Sequence, residues 1–316
     1  MKGKIDMKKS GIAPLLHNLI RLAILLGLTA YIVYLSATGQ ILLFIAPQLV
    51  KYVDLAAVCM ALFMLGQLYL LFRSFKVPAA ACACRSEHDH GHDEGHGHSH
   101  EPTGSPVKNG LIYGLFILPV LLGLLLPNEA FAGSLAHNKG MNLGVFTGGG
   151  MPADLAQVDP AENSDLKELF RSDTYNRDYA KLGMLLYKQD EIVMSDEWFI
   201  EKLQAMNTFV DNFQGKTLQI RGFVYRENEL AANQLIIGRM AMTHCIADIS
   251  PYGIIAEADN AASYANDTWL TLTGTIASTT YHGQKVIKLM IQSAEPADSP
   301  DIPYIYPDWD FGKKLK

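Results

Sequence analysis

Six of the ten histidines in this 316-residue chain fall within Arg85 to Glu101, read as RSEHDHGHDEGHGHSHE. They are His88, His90, His92, His96, His98 and His100, two His-x-His-x-His triplets separated by Asp93, Glu94 and Gly95. On an extended backbone alternate side chains point the same way, so each triplet can present three imidazoles on one side. Free imidazole titrates near roughly pH 6.5, so at neutral pH most rings are uncharged and able to ligate. Zinc, nickel, copper and cobalt all accept imidazole nitrogen. Glu87, Asp89, Asp93, Glu94 and Glu101 add oxygen ligands, and Gly91, Gly95 and Gly97 leave the coordination geometry unfixed. The pattern predicts a metal-collecting tether rather than a rigid structural site, with zinc the first candidate and other late transition metals open. The plainer reading is a solvated low-complexity linker.

Two smaller groups could join such chemistry. Cys82 and Cys84 form Cys-x-Cys just ahead of the tract. They could begin the same site as thiolates or, beside a membrane, be acylated. His244, Cys245 and Asp248 bring imidazole, thiolate and carboxylate together in sequence, a donor set suited to zinc or copper. Adjacent residues on a straight strand face opposite ways, so joint ligation requires a bulge, and an inert Cys245 in a strand core is the competing reading. Cys245 is the only cysteine after residue 84, which excludes a disulfide within the C-terminal region. Cys59 lies inside an apolar run, and His137 reads as an ordinary loop residue. The chain has no Gly-rich phosphate loop, Gly-x-Ser-x-Gly, His-Glu-x-x-His or Cys-x-x-Cys, so no enzyme activity, catalytic residue or organic cofactor is expected.

The elements that would position these groups begin with three apolar runs. No charge occurs between Arg21 and Lys51, between Asp54 and Arg73, or between Lys108 and Glu129. Each gap is long enough for a hydrocarbon core, which needs roughly 20 residues. Leu19–Ser36, Asp54–Phe72 and Gly110–Leu126 are therefore expected as three transmembrane helices within residues 1–128, with the His-rich loop at 73–108. Asp54, at a helix end, reaches the interface and is given no transport role. Lysines and arginines cluster at the N-terminus and in the 73–108 loop, while the first turn holds only Lys51. The positive-inside rule then makes the N-terminus and His-rich loop cytoplasmic and everything after about residue 128 extracytoplasmic. The chain is thus expected in the cell membrane as a multi-pass protein in contact with lipid. Net charge is +3 through Lys108 and −9 from Glu129 onward, so nucleic acid is not an expected partner.

Residues 129–194 read as a linker region with partial helix, hinged at Gly148-Gly149-Gly150. Residues 195–316 read as an extracytoplasmic helix followed by β structure, an α+β region. Ser195 to Phe213 is the helix, with Ser195 as its cap and Phe199, Leu203, Met206 and Val210 as a core stripe. Lys216–Arg226, Gln234–His244, Ile246–Ala258, Thr268–Ser278 and Lys285–Ala294 are five expected strands, enough for a small OB-type barrel. Pro296–Pro307 is proline-rich and extended.

Several stretches together resemble one family. They are Leu135 to Asn142 (LAHNKGMN), Gly215-Lys216 with Gly222 to Arg226 (GFVYR), and Arg239 to Gly253 (RMAMTHCIADISPYG), with Trp269 and Gly274. The chain resembles YcgQ-type membrane proteins carrying a DUF1980 domain, over nearly its whole length, and RMAMTHCIADISPYG is the specific part. The resemblance implies one subunit of a two-component permease whose partner is a polytopic DUF318-type permease, with a link to transition-metal homeostasis. The family often has Cys-Cys where this chain has His244-Cys245, so a dithiol role does not carry over, although a His-Cys pair can still bind metal. Two functions are therefore expected in competition. One is an accessory permease subunit with a metal-binding loop. The other is a membrane-anchored module that binds an envelope protein, peptide or glycan.

Overall fold

The computed structural model describes residues 3–76, 106–125, 140–144 and 164–315. The chain divides into two compact units, Met1–Ile41 with Pro47–Asn128 and Leu42–Ala46 with Glu129–Lys316.

The first unit holds helices α1 (Gly3–Ala37), α2 (Pro47–Lys76) and α3 (Pro106–Leu125). Each begins ahead of the apolar run that predicts it. For α2 the extension starts at Pro47, where a proline forfeits no intrahelical hydrogen bond and its fixed φ suits the first turn. At the end of α1 the Thr38 hydroxyl donates to the Tyr34 carbonyl at 2.8 Å, and Gly39 turns the chain at φ 73°. Leu16–Ala37 and Pro47–Arg73 are long and apolar enough to cross a membrane. The apolar part of α3, Val107–Gly123, is shorter and contains Pro119. Polar contacts join these helices: Ser36 donates to Asp54 at 2.6 Å, and His17 Nδ1 lies 2.8 Å from the Tyr113 hydroxyl. Leu55, Leu62, Phe63 and Leu70 on α2 are exposed, as are Leu115 and Leu125 on α3.

The second unit is β-rich. Its strands are β1 (Glu191–Met194), β2 (Thr217–Tyr225), β3 (Gln234–Ala241), β4 (Ser250–Glu257), β5 (Trp269–Tyr281), β6 (Gln284–Pro296) and β7 (Tyr304–Ile305). They form one sheet in the order β1-β2-β5-β6-β4-β3-β7. β2 also pairs with β3, from Phe223 opposite Gly238 to Tyr225 opposite Ile236, so the pairing runs through five strands and returns to β2. These five are the strands expected from runs rich in β-branched and apolar residues. β1 and β7 were not expected; they are short and add in parallel to β2 and β3, in stretches that read as linker and as proline-rich.

Glycine decides two places in this ladder. A β-carbon on Gly222 would stand 2.4 Å from the Gly238 carbonyl oxygen, so β2 and β3 approach where only glycine fits. His282 and Gly283, at φ 48° and 77°, form the two-residue turn between β5 and β6.

Short helices α4 (Ser164–Leu169), α5 (Arg177–Tyr187), α6 (Phe199–Thr208) and α7 (Phe311–Lys314) accompany the sheet. Phe199, Leu203, Met206 and Val210 are buried with Leu218, Ile220, Ile254 and Leu272 in the larger core, as the stripe requires. Residues 164–194 feed the same core through Phe170, Leu182, Leu186 and Ile192. The expected cap is corrected. The Ser195 hydroxyl donates to the Glu197 carbonyl and accepts from Lys202 Nζ, and α6 starts four residues later behind Trp198, held at φ 56°. Met141 and Leu143 pack into a second cluster with Phe223, Ile236, Met240 and Ile255.

Candidate functional site

Arg239 to Gly253 forms β3, a turn and β4, with Arg239 opposite Tyr252 and Ala241 opposite Ser250. The turn brings His244, Cys245 and Asp248 together on an irregular backbone, so the alternation of a straight strand does not apply. Its centre is the Asp248 carboxylate, which accepts the backbone N–H groups of Thr243 at 3.0 Å, His244 at 2.8 Å and Cys245 at 3.3 Å. The His244 ring nitrogen Nδ1 lies 3.2 Å away. Cys245 caps the short helical turn Ile246–Asp248 in return. Burial alone would raise the Asp248 carboxyl, but these donors outweigh it and hold it below the usual carboxylate range. Among the described residues no group of three or more His, Cys, Asp or Glu is arranged to hold a metal ion. The Asp248 carboxylate is thus held in place by three backbone N–H groups, which fix its orientation. His88, His90, His92, His96, His98, His100, Cys82 and Cys84 lie outside the described residues, as does His137.

The same turn pairs with residues far earlier in the chain. Ile45 and Cys245 form an antiparallel bridge. Ala46 N–H donates to the His244 carbonyl and Ile246 N–H to the Phe44 carbonyl, both at 2.9 Å. The Tyr306 hydroxyl donates to the Leu42 carbonyl at 3.1 Å. Burial, aided by Tyr304, pushes the Tyr306 phenol up to about 12, so it stays a donor at any physiological pH.

Beside the turn lies a cavity of about 560 Å³. α6 contributes Ile200, Glu201 and Gln204, and α5 contributes Tyr179. Thr243, Ser250 and Tyr252 come from the RMAMTHCIADISPYG stretch, and Asp308 and Trp309 from the C-terminal segment. Glu201 is 4% exposed. Its Oε1 accepts the Asp308 N–H at 2.7 Å, whereas Oε2 has no hydrogen-bond partner among the described residues. Desolvation raises the Glu201 carboxyl, against the pull of the Asp308 N–H. The phenols of Tyr179 and Tyr252 are raised too, first by burial and then by the Glu201 charge. Nearby, the buried Arg239 pairs with Asp196 and stands 5.4 Å over the Trp269 ring.

None of Glu201, Tyr179, Tyr252 or Arg239 was singled out from the sequence. Arg239 and Tyr252 lay within the stretch that carries the resemblance, at paired positions of β3 and β4. Glu201 gave no signal, being an ordinary polar residue off the apolar stripe of its helix.

Residues 20–142 match the DUF1980 N-terminal domain, and residues 169–307 match the DUF1980 C-terminal domain. The chain belongs to the DUF1980 family. A relative from Bacillus subtilis strain 168, UPF0703 protein YcgQ, is 29% identical over 290 residues, covering 91% of this chain and 99% of its own. A Streptococcus mutans relative bears the name "Putative two-component membrane permease complex subunit". It is 24% identical over 198 residues, 61% of this chain and 72% of its own. A small single-stranded DNA-binding protein from Streptomyces coelicolor overlaps 26% of this chain and 94% of its own, at 12% identity and a TM-score of 0.17. In this DUF1980 chain the turn at 243–248 and most of the cavity wall fall within the C-terminal match, and Asn142 closes the N-terminal one.

Proposed function

We propose that this DUF1980 chain is the membrane-anchored accessory subunit of a two-component permease. The observation that carries the reading is the relationship to the Streptococcus mutans relative, whose name is that of a permease-complex subunit. Physical grounds support it. α1 and α2 are long and apolar enough to span, and with α3 they number too few to enclose a polar route. Their exposed leucine and phenylalanine side chains need lipid or a partner's helices around them. In this reading α3 is the third span, the N-terminus is cytoplasmic, and the five cyclically paired strands form an OB-type barrel outside the cell that docks without catalytic turnover. The partner is a polytopic permease of the DUF318 type.

Transition-metal handling is the second part of the proposal. It rests on the residue pattern of Cys82, Cys84 and the six histidines from His88 to His100. The hydrogen-bonded turn at His244, Cys245 and Asp248 is given the role of holding β3, β4 and the 42–46 segment together, with its imidazole, thiol and carboxylate as a further candidate ligand set.

The test is gentle solubilisation from native membranes, followed by identification of what co-purifies and by metal analysis. A polytopic permease in stoichiometric amount is the expected result. Recovery of this protein alone, with transport activity surviving its reconstitution, would overturn the subunit reading. Deletion of residues 86–101 separates the two parts: unchanged metal tolerance with the complex intact removes the metal role and leaves the docking role.

A second reading, a membrane-anchored binding module, is favoured by one specific observation, the cavity beside Glu201.

A further inference from the structure

We propose that the cavity beside α6 binds a primary ammonium group, from a small amine or from a lysine side chain of another protein. The argument starts from an imbalance in hydrogen bonding. Glu201 is almost wholly buried and lines the cavity, yet only one of its two oxygens is engaged, by the Asp308 N–H. The other has no donor among the described residues. A buried acceptor left unpaired is costly, and a charged one more so.

Nearby cations do not donate to the free oxygen: the Lys202 charge is felt at Glu201 without a hydrogen bond, and the buried Arg239 pairs with Asp196 and keeps Nε and Nη2 unpartnered among the described residues. Lys202, adjacent on α6, places its Nζ 2.7 Å from the Ser195 hydroxyl and 3.3 Å from the Val193 carbonyl. Lys314 is paired with Asp308. Among the described residues no lysine, arginine or histidine lines the cavity. The Asp308 carboxylate, the other acid on the wall, also accepts the Trp198 indole N–H at 3.0 Å. Glu201 is therefore the acidic group left for a ligand.

The remaining wall suits an alkylammonium. Tyr179, Tyr252 and the rim residue Trp309 offer aromatic faces, which attract cations. The Gln204 side chain and the Ser250 hydroxyl are acceptors for the other ammonium hydrogens. A volume of about 560 Å³ falls in the range of small-ligand sites. A carboxylate or phosphate ligand would meet two acids and no base, which excludes anions by charge.

The inference does not depend on the permease reading, and its test is separate. The full-length protein, purified in detergent, is titrated calorimetrically at pH 7.5 with n-butylamine, Nα-acetyl-lysinamide, n-butanol and butyrate. Both ammonium compounds should bind saturably, with n-butanol and butyrate at least tenfold weaker. Tighter binding of acetyl-lysinamide than of butylamine assigns the pocket to a lysine side chain, and the reverse order assigns it to a free amine. Glu201→Gln should weaken binding at least tenfold. Should that variant fail to fold, Gln204→Lys serves instead: it places a tethered ammonium in the cavity and should abolish binding while Glu201 stays in place. No binding of either amine, equal binding of n-butanol, or undiminished binding in a folded Glu201→Gln or Gln204→Lys protein overturns the proposal.

Discussion

Asp248 accepts the backbone N–H of His244 at 2.8 Å and lies 3.2 Å from that residue's ring nitrogen. One carboxylate thus fixes both the chain path and the ring orientation of His244. Asp248→Ala should unfold at lower denaturant concentration, by about 1–2 kcal/mol, because three backbone N–H groups lose their acceptor. The pH sign follows from the lowered carboxyl. Its contribution is present above the ordinary carboxylate range and is lost as pH falls through the lower folded value. The gap between wild type and Asp248→Ala should therefore narrow in acid, as equilibrium unfolding monitored by tryptophan fluorescence can check.

Glu201 has the opposite sign. Its carboxyl is raised, so the folded state favours the protonated form. That contribution is complete below the unfolded value of roughly 4.3 and is lost as pH rises through the folded one. The groups around it are Tyr179, Tyr252, Asp308 and Lys202. Compared with Glu201→Gln at each pH, the wild type should gain stability as pH drops from 7.5 toward 4.5. At pH 7.5 the variant should be the more stable by about 1 kcal/mol. A pH-independent difference would count against the assignment.

Gly222→Ala should cost about 2 kcal/mol or more, since its β-carbon would meet the Gly238 carbonyl at 2.4 Å, a backbone atom that cannot swing aside. Gly66→Ala, inside α2 with nothing within 4 Å of the added carbon, is the contrasting case and should not lower the melting temperature.

A synthetic peptide of residues 82–101 should bind zinc or nickel at pH 7.5 and release it as the imidazoles protonate below about pH 6. Calorimetry showing no heat of binding at pH 7.5 would remove the metal function from this tract.

Ser299 is exposed in the β-rich unit. In a background lacking the native cysteines, Ser299→Cys should react with a membrane-impermeant maleimide on intact cells. Reaction only after lysis would reverse the proposed orientation.

The five long strands were legible because each is rich in β-branched and apolar residues and is bounded by turn residues. β1 and β7 were not, because four and two residues hold too little pattern and their pairing is decided by partners elsewhere in the chain. The apolar cores of the helices were equally plain, but their ends were not: Pro47 reads as a turn residue until its position in the first turn of α2 is seen. At the site, His244, Cys245 and Asp248 stood out by residue type, and what could not be read was that the carboxylate faces backbone N–H groups. Glu201 became visible only when α5, α6, β4 and the C-terminal segment closed around it.

The bridge between Ile45 and Cys245 bears on the order in which the molecule can be made. Ile45 leaves the ribosome about two hundred residues ahead of its partner, so the earliest piece of the β-rich unit waits through most of translation for the turn it completes. A gene truncated to begin at residue 129 would yield strands that lack this piece. The Ile246 N–H and the His244 carbonyl would then end their synthesis without backbone partners. The natural chain order therefore has the short connection between α1 and α2 already present when the turn between β3 and β4 emerges.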